Sequence, residues 1–308
     1  MHPFLFRVTR ATTLALALLA SPTLAQAPAG PARPDTAASN PERVHPALWK
    51  VSDKDTTIWL FGTIHVLPKP VDWFNGPVAK ALKSSRTLVT EVPMDDNKAA
   101  QSAMLEKASR TDGRALRDTL SPENRAAYEA AMTKLGLAPA AFDGNDAWFA
   151  ALMLSLIPLQ MQGYDLSNGI DKQITDKARA LGLTNAALET ADYQIGLFED
   201  LPVATQDAYL ADVVEALPTL DGDIAAMVDA WKQGKAKDLA EILNQQENDP
   251  LIRETLLTAR NQHWARWIEA RLKQPGTVFM AVGAGHLAGQ DSVQALLAKD
   301  GVRAVRVQ

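Results

Sequence analysis

Residues 58–68 read IWLFGTIHVLP: an apolar, β-rich run ends at Gly62, and His65 stands three residues beyond it. The pattern returns near the other end of the chain. Residues 278–289 read VFMAVGAGHLAG, so Gly283 is followed by His286, 221 positions after the first pair. The chain has five histidines, and two of them hold matching places after two strong strand candidates. Nearly continuous apolar runs of this kind fit strands buried on both faces of a parallel sheet. Ligands of open parallel sheets bind outside the carboxyl ends of the strands. Glycine there lets the backbone turn sharply and approach a bound group. The twin motifs therefore predict a parallel sheet with both imidazoles in one crevice.

The rest of the chain supplies the remaining layers. Ala47–Val51 and Thr57–Phe61 flank a polar stretch and predict an N-terminal β-hairpin. Thr87–Val92, Thr184–Glu189, Thr277–Val282 and Val302–Val307 are further strand candidates. Ser121-Pro122-Glu123 is an N-cap with proline at the first helical position, opening a helix to about Leu135. Helical spacing continues over Asp207–Leu217, Ile224–Lys232, Ala236–Gln245 and Leu251–Lys273. The expected class is α/β: a mainly parallel central sheet with flanking helices, the N-terminal hairpin, and a helical insertion over 95–165. Within that insertion Ala147–Leu159 (AWFAALMLSLIPL) is almost wholly apolar. It falls short of the ~20 residues a membrane span needs, and predicts a buried helix kinked or ended near Pro158.

The first 25 residues predict a cleaved signal peptide: Arg7 and Arg10, the apolar run Ala11–Ala20, and Thr23-Leu24-Ala25 as a small-x-small cleavage site. The expected destination is the periplasm or the exterior, with no stable membrane span after cleavage. Residues 26–44, rich in Pro, Ala and small polar residues, predict a disordered linker, leaving 45–308 as one domain. The chain has no cysteine, which excludes disulfides, thiolate nucleophiles and thiolate metal ligands. Its net charge of −5 and lack of a basic run make nucleic acid a poor partner. A peptide or a small molecule is the expected one.

Other polar residues fall at comparable places. Glu91 lies near the end of TLVTEV, where an apolar strand has little reason to carry a carboxylate; an outward-facing residue at a sheet edge is the other reading. Glu189 ends the weaker strand, before Thr190 as a plausible N-cap; a charge at a helix start explains it equally well. Asp171, in SNGID, reads as an acid in the first turn of a helix. Arg260, Trp264 and Trp267 share a helical face, so Arg260 either snorkels or reaches a buried anion. His263 points nearly opposite to Asn261, toward solvent.

Two imidazoles and a carboxylate suffice to hold a divalent metal with open positions, which acidifies bound water and polarises a carbonyl. Without thiolates such a site favours Mn, Co, Fe or Zn. A neutral histidine with a glutamate can also act on water without metal. No His-x-x-x-His helix, Gly-x-Ser-x-Gly elbow or nucleotide fingerprint is present.

The segments LWKV, TIWLFGTIHVLP, TLVTEV, GID, LET, RNQHW and TVFMAVGAGHLAG together resemble the TraB/GumN family over about residues 45–308. That family is related to the Tiki metalloproteases and, more distantly, to erythromycin-esterase-like and haem-binding ChaN-like proteins. The resemblance implies an α/β fold with both motifs facing one cleft, and metal-dependent hydrolysis of peptide bonds. Carried onto this chain, His65, His286 and Glu91 would hold the metal, with Gly62 and Gly283 shaping the turns beside it. Glu189 matches the family's Leu-Glu-Thr and would orient a ligand or act as base. Arg260 and Asn261 match its Arg-Asn pair and would fix substrate. Pro93 replaces the usual acid after the first Glu-Val, so Glu91 lacks an adjacent acidic neighbour. A haem- or metal-binding protein without turnover, and a metal-free His/Glu esterase, are the alternatives.

Overall fold

A computed structural model describes residues 41–94, 98–244 and 249–308. The expected signal peptide, and the expected linker as far as residue 40, lie outside the described residues. Fixed contacts begin earlier than the predicted boundary at 45. Arg43 forms a parallel bridge with Asp72, the Asp72 N–H donates to the Glu42 carbonyl (2.8 Å), and Val44 is buried. Val44 is the apolar anchor that a composition-based reading of the linker overlooks.

Six strands form one mixed, mostly parallel sheet: β1 (Leu48–Ser52), β2 (Thr56–Thr63), β3 (Thr87–Thr90), β4 (Thr184–Ala187), β5 (Gly276–Gly283) and β6 (Ala304–Arg306). Their order is β4-β3-β5-β2-β1-β6, with β2, β3, β4 and β5 parallel and β1 antiparallel to β2 and β6. The hairpin is β1–β2, as expected. Alternation sorts the strand residues between two cores. Phe61, Leu88 and Phe279 face the larger one, with Trp73 and the helical insertion. Ile58, Leu60, Val89, Val278 and Met280 face Trp264, Ile268, Val293 and Leu297.

The helices are α1 (Gly76–Ser84), α2 (Lys98–Lys107), α3 (Pro122–Lys134), α4 (Ala147–Met161), α5 (Ile170–Ala180), α6 (Ala191–Glu199), α7 (Val203–Ala216), α8 (Leu220–Lys232), α9 (Ala236–Asn244), α10 (Pro250–Arg253), α11 (Ala259–Leu272) and α12 (Val293–Lys299). The Ser121 side chain caps α3 by accepting from the Asn124 N–H. The apolar α4 is buried on nearly every side and packs along α7. It runs past Pro158 to Met161, because a proline in the last turn removes only its own bond to the carbonyl four residues back. The helix predicted as continuous over 251–273 is instead broken by a π-helical turn, Glu254–Thr258, between α10 and α11. Such turns rotate the following residues relative to an unbroken helix and cluster at functional sites. Here the residues that follow are Arg260 and Asn261. Among the described residues no helix is long and apolar enough to cross a membrane.

Candidate functional site

The two motifs meet because β2 and β5 are parallel neighbours in matched register, Gly62 opposite Val282 and Thr63 opposite Gly283. A Cβ on Gly62 would lie 2.9 Å from the Ala284 Cα, so glycine lets the two chains cross as they leave the sheet. The Gly62 carbonyl accepts from the Trp231 indole N–H (2.8 Å). Beyond β5 a short 3-10 turn, Ala284–Leu287, carries His286 inward.

β3 ends at Thr90 and β4 at Ala187, so Glu91 and Glu189 both lie just past their strands. The Glu189 N–H donates to the Glu91 carbonyl (2.8 Å), which sets the two acids side by side. Glu91 Oε1 accepts from the Gly283 N–H (2.6 Å), and its Oε2 from Arg260 Nη2 (2.6 Å) and Gln194 Nε2 (3.2 Å). The space beside Gly283 is the meeting point. A Cβ built there would be 3.1 Å from Glu91 Oε1, 3.5 Å from His65 Nε2 and 3.6 Å from His286 Cδ2.

Asp171, which the sequence suggested was a first-turn acid, is a partner of this site. Its Oδ2 lies 2.7 Å from His65 Nδ1, and its Oδ1 accepts from the Thr63 hydroxyl (2.6 Å). The N-terminus of α5 is pinned against the first motif by the Ile170 N–H, which donates to the Ile64 carbonyl (2.8 Å). Gly169 makes this approach possible, since a Cβ on it would fall 2.2 Å from the His65 carbonyl oxygen. Replacing Gly169 by alanine is expected to destabilise the fold by about 1–3 kcal/mol and to loosen the His65–Asp171 pair. Denaturant unfolding measures the first effect, and the His65 ring resonances report the second.

His286 is held by different groups. Its Nδ1 meets Asn261 Oδ1 at 2.7 Å, while Asn261 Nδ2 donates to the Asp291 carbonyl (2.8 Å). That assignment of the amide puts the ring proton on Nδ1 and leaves Nε2 as an acceptor. Nε2 lies 3.2 Å from Arg260 Nη1. The Trp264 ring packs on His286 at 4.3 Å between centroids.

Arg260 does not snorkel. It is 3% exposed and stacks over Trp264 at 4.8 Å. It donates to Glu91, to both oxygens of Glu189 (2.9–3.2 Å) and to the Leu256 carbonyl (3.1 Å). Glu189 also accepts from Gln194 (2.8 Å) and from the Trp264 indole (2.9 Å). Arg260 and Asn261, predicted to fix substrate, are both buried and bonded inward; Asn261 is 0% exposed. Glu189, predicted to orient a ligand or act as base, is likewise bonded inward, to Arg260, Gln194 and Trp264. The solvent-facing part of the cluster is His65 and Asp171, with side chains 12% and 15% exposed against 3% for His286. Gln194, on α6, joins Glu91 to Glu189 with no sequence signal that could have singled it out.

Burial alone would lower the His65 pKa, but the charge and hydrogen bond of Asp171, aided by Glu91, outweigh it and raise the net value. His286 goes the other way. Burial and then the Arg260 charge push it down to about 3, so it is neutral at ordinary pH. Burial would raise Glu91, yet Arg260 and the Gly283 N–H hold it well below the usual carboxylate range. A histidine whose folded pKa is depressed binds fewer protons folded than unfolded, and stability falls as pH drops through that window. From the ordinary 6.5 down to about 3, His286 should thus contribute to acid destabilisation. Changing His286 to Gln is expected to reduce the slope of unfolding free energy against pH, between about pH 4 and 6, by about 1.4 kcal/mol per pH unit.

Both rings have Nδ1 tied to a protein acceptor, as metal-binding histidines do. The remaining lone pairs do not suit a metal, however. Glu91 accepts from Gly283, Arg260 and Gln194, and His286 Nε2 faces a guanidinium N–H, so of the three predicted ligands only His65 presents an uncommitted nitrogen. Among the described residues no three His, Asp or Glu side chains are grouped to hold a metal ion. As arranged, His65, His286 and Glu91 do not fit a divalent ion.

A family model described as the TraB/PrgY/gumN family matches residues 47–306. The uncharacterized protein YbaP of Escherichia coli (strain K12) is 25% identical over 240 residues, covering 77% of this chain and 86% of that protein. The uncharacterized protein YbaP of Shigella flexneri matches to the same extent. No solved structure matches.

Proposed function

The chain belongs to the TraB/PrgY/gumN family, and on that premise we propose that it is a hydrolase of acyl bonds, peptide or ester, in which the His65–Asp171 pair activates water. One observation carries this reading: His65 is anchored at Nδ1 by a carboxylate 2.7 Å away, its Nε2 points to the space beside Gly283 and Glu91, and its side chain is 12% exposed. A base oriented by a third group is the recurring arrangement for proton abstraction. Asp171 accepts the Nδ1–H and fixes the tautomer that leaves a lone pair on Nε2. His65 Nε2 then takes a proton from water as the water oxygen bonds to the carbonyl carbon, and the C=O π pair moves onto the carbonyl oxygen. When the tetrahedral species collapses, the bond to the leaving nitrogen or oxygen breaks, and that atom takes the proton back from Nε2. Glu91 Oε1, on the same small space, can accept the second O–H of the water and hold it in place. We place this chemistry in the periplasm or the exterior as part of the proposal, on the signal-like sequence of the first 25 residues.

The test is an assay of the purified chain on peptide and ester libraries, with and without chelator. Chelator-resistant hydrolysis that disappears in His65→Ala supports the proposal. Hydrolysis that stops with chelator and returns with Mn or Co would favour the metal-dependent peptidase that the resemblance to Tiki proteins implies. Turnover retained by His65→Ala would end both.

A further inference from the structure

We infer that Arg260 is the resident cation of this site: its guanidinium stands where a divalent ion would be held, and shortening it opens a latent His/Glu/Glu site for a transition metal. The inference deepens the hydrolase reading on one point, metal independence; its binding half stands on geometry alone. Five acceptors surround the group: Glu91 Oε2 at 2.6 Å, Glu189 Oε2 at 2.9 Å and Oε1 at 3.0 Å, the Leu256 carbonyl at 3.1 Å and His286 Nε2 at 3.2 Å. With Arg260 in place these acceptors are spread over Nε, Nη1 and Nη2, and no three His, Asp or Glu side chains among the described residues are grouped to hold a metal. Two carboxylates and an unprotonated imidazole nitrogen are nevertheless the donor types that suit zinc or its neighbours. Here they serve a cation that does not deprotonate in proteins.

Several features keep the guanidinium in place. Trp264 lies against its face, the π-helical turn presents the Leu256 carbonyl, and Glu189 grips it through both oxygens. The arrangement keeps two carboxylates with 6% and 3% side-chain exposure paired with a single positive group of 3%. Without that group the carboxylates would be buried and unpaired, a strongly unfavourable state. A divalent ion restores the balance, and the imidazole nitrogen released from Arg260 supplies its third ligand.

Metal content by elemental analysis, titration calorimetry with Zn, Mn and Co, and thermal unfolding with and without chelator test this on the native chain, Arg260→Ala and Arg260→Lys. The native chain should purify without stoichiometric metal and show the same melting temperature in chelator. Arg260→Ala should melt lower, bind one equivalent of metal about 100-fold more tightly than the native chain, and regain thermal stability on binding. Arg260→Lys should stay closed to metal. Adding Glu189→Gln to Arg260→Ala should abolish the gained binding. Stoichiometric metal in the native chain, with a lower melting temperature in chelator, would overturn the inference. Failure of Arg260→Ala to bind, or to fold even with metal, would overturn the latent site. A metal-free native chain that gains metal in Arg260→Ala, yet hydrolyses nothing, would uphold the inference while removing the hydrolase.

Discussion

Replacing His65 by alanine is expected to lower turnover by about 10²–10⁴-fold, the usual contribution of a positioned general base. Asp171→Asn should approach the same loss, because an amide facing Nδ1 no longer enforces the tautomer that leaves Nε2 free. The two variants differ in their pH profiles. In the native chain the His65 pKa is raised, so activity should climb with pH through a limb above 6.5 as the ring loses its proton. Asp171→Asn removes the main cause of the rise, so its residual activity should show that limb at lower pH; His65→Ala should lack it. Both side chains lie at the accessible edge of the cluster, so cooperative unfolding should persist in each. An Asp171→Asn enzyme with a native limb and native rate would show that the pair takes no part in catalysis.

Gly283→Ala should lose about 10²-fold in turnover while keeping its fold, the size of effect that small misplacements in a site produce. Its φ of −49° and ψ of 134° are accessible to alanine, so the backbone is not strained by the change. The methyl group would meet Glu91 Oε1 at 3.1 Å and His65 Nε2 at 3.5 Å, and so enter the space that the proposed mechanism gives to water. The Gly283 N–H that holds Glu91 is retained. Gly62→Ala is the contrasting control, because its Cβ would press on the Ala284 backbone at 2.9 Å and should act on stability first. A Gly283→Ala enzyme with native kcat would place the reaction elsewhere. A chain unfolded by that substitution would show a packing role instead.

Much of the site was legible because it follows from local pattern. An apolar strand with a polar residue at or beyond its end is encoded within a few positions; both histidine motifs, each with a glycine, and Glu91, without one, carry that signature. Asp171 carried a weaker one, since an acid in the first turn of a helix has an ordinary explanation in the helix dipole. The missed clue was Gly169, whose small size matters only when His65 arrives from more than a hundred positions away. Arg260 was ambiguous for a related reason. Its stacking on Trp264 was visible in the helical spacing, while the choice between solvent and a buried anion depended on what lay opposite.

By itself, then, the sequence determined the α/β class, the strands that lead into the glycine motifs, and the two imidazoles and Glu91 as groups at the ends of neighbouring strands. Pattern suffices for these because strand burial and strand-end turns are short-range consequences of residue type. The tertiary structure decided the pairing: His65 with Asp171, His286 with Asn261, and Arg260 between Glu91 and Glu189. Those partners lie on different elements, and a buried charge or imidazole takes its protonation state and role from whichever groups the packing brings within about 3 Å of it.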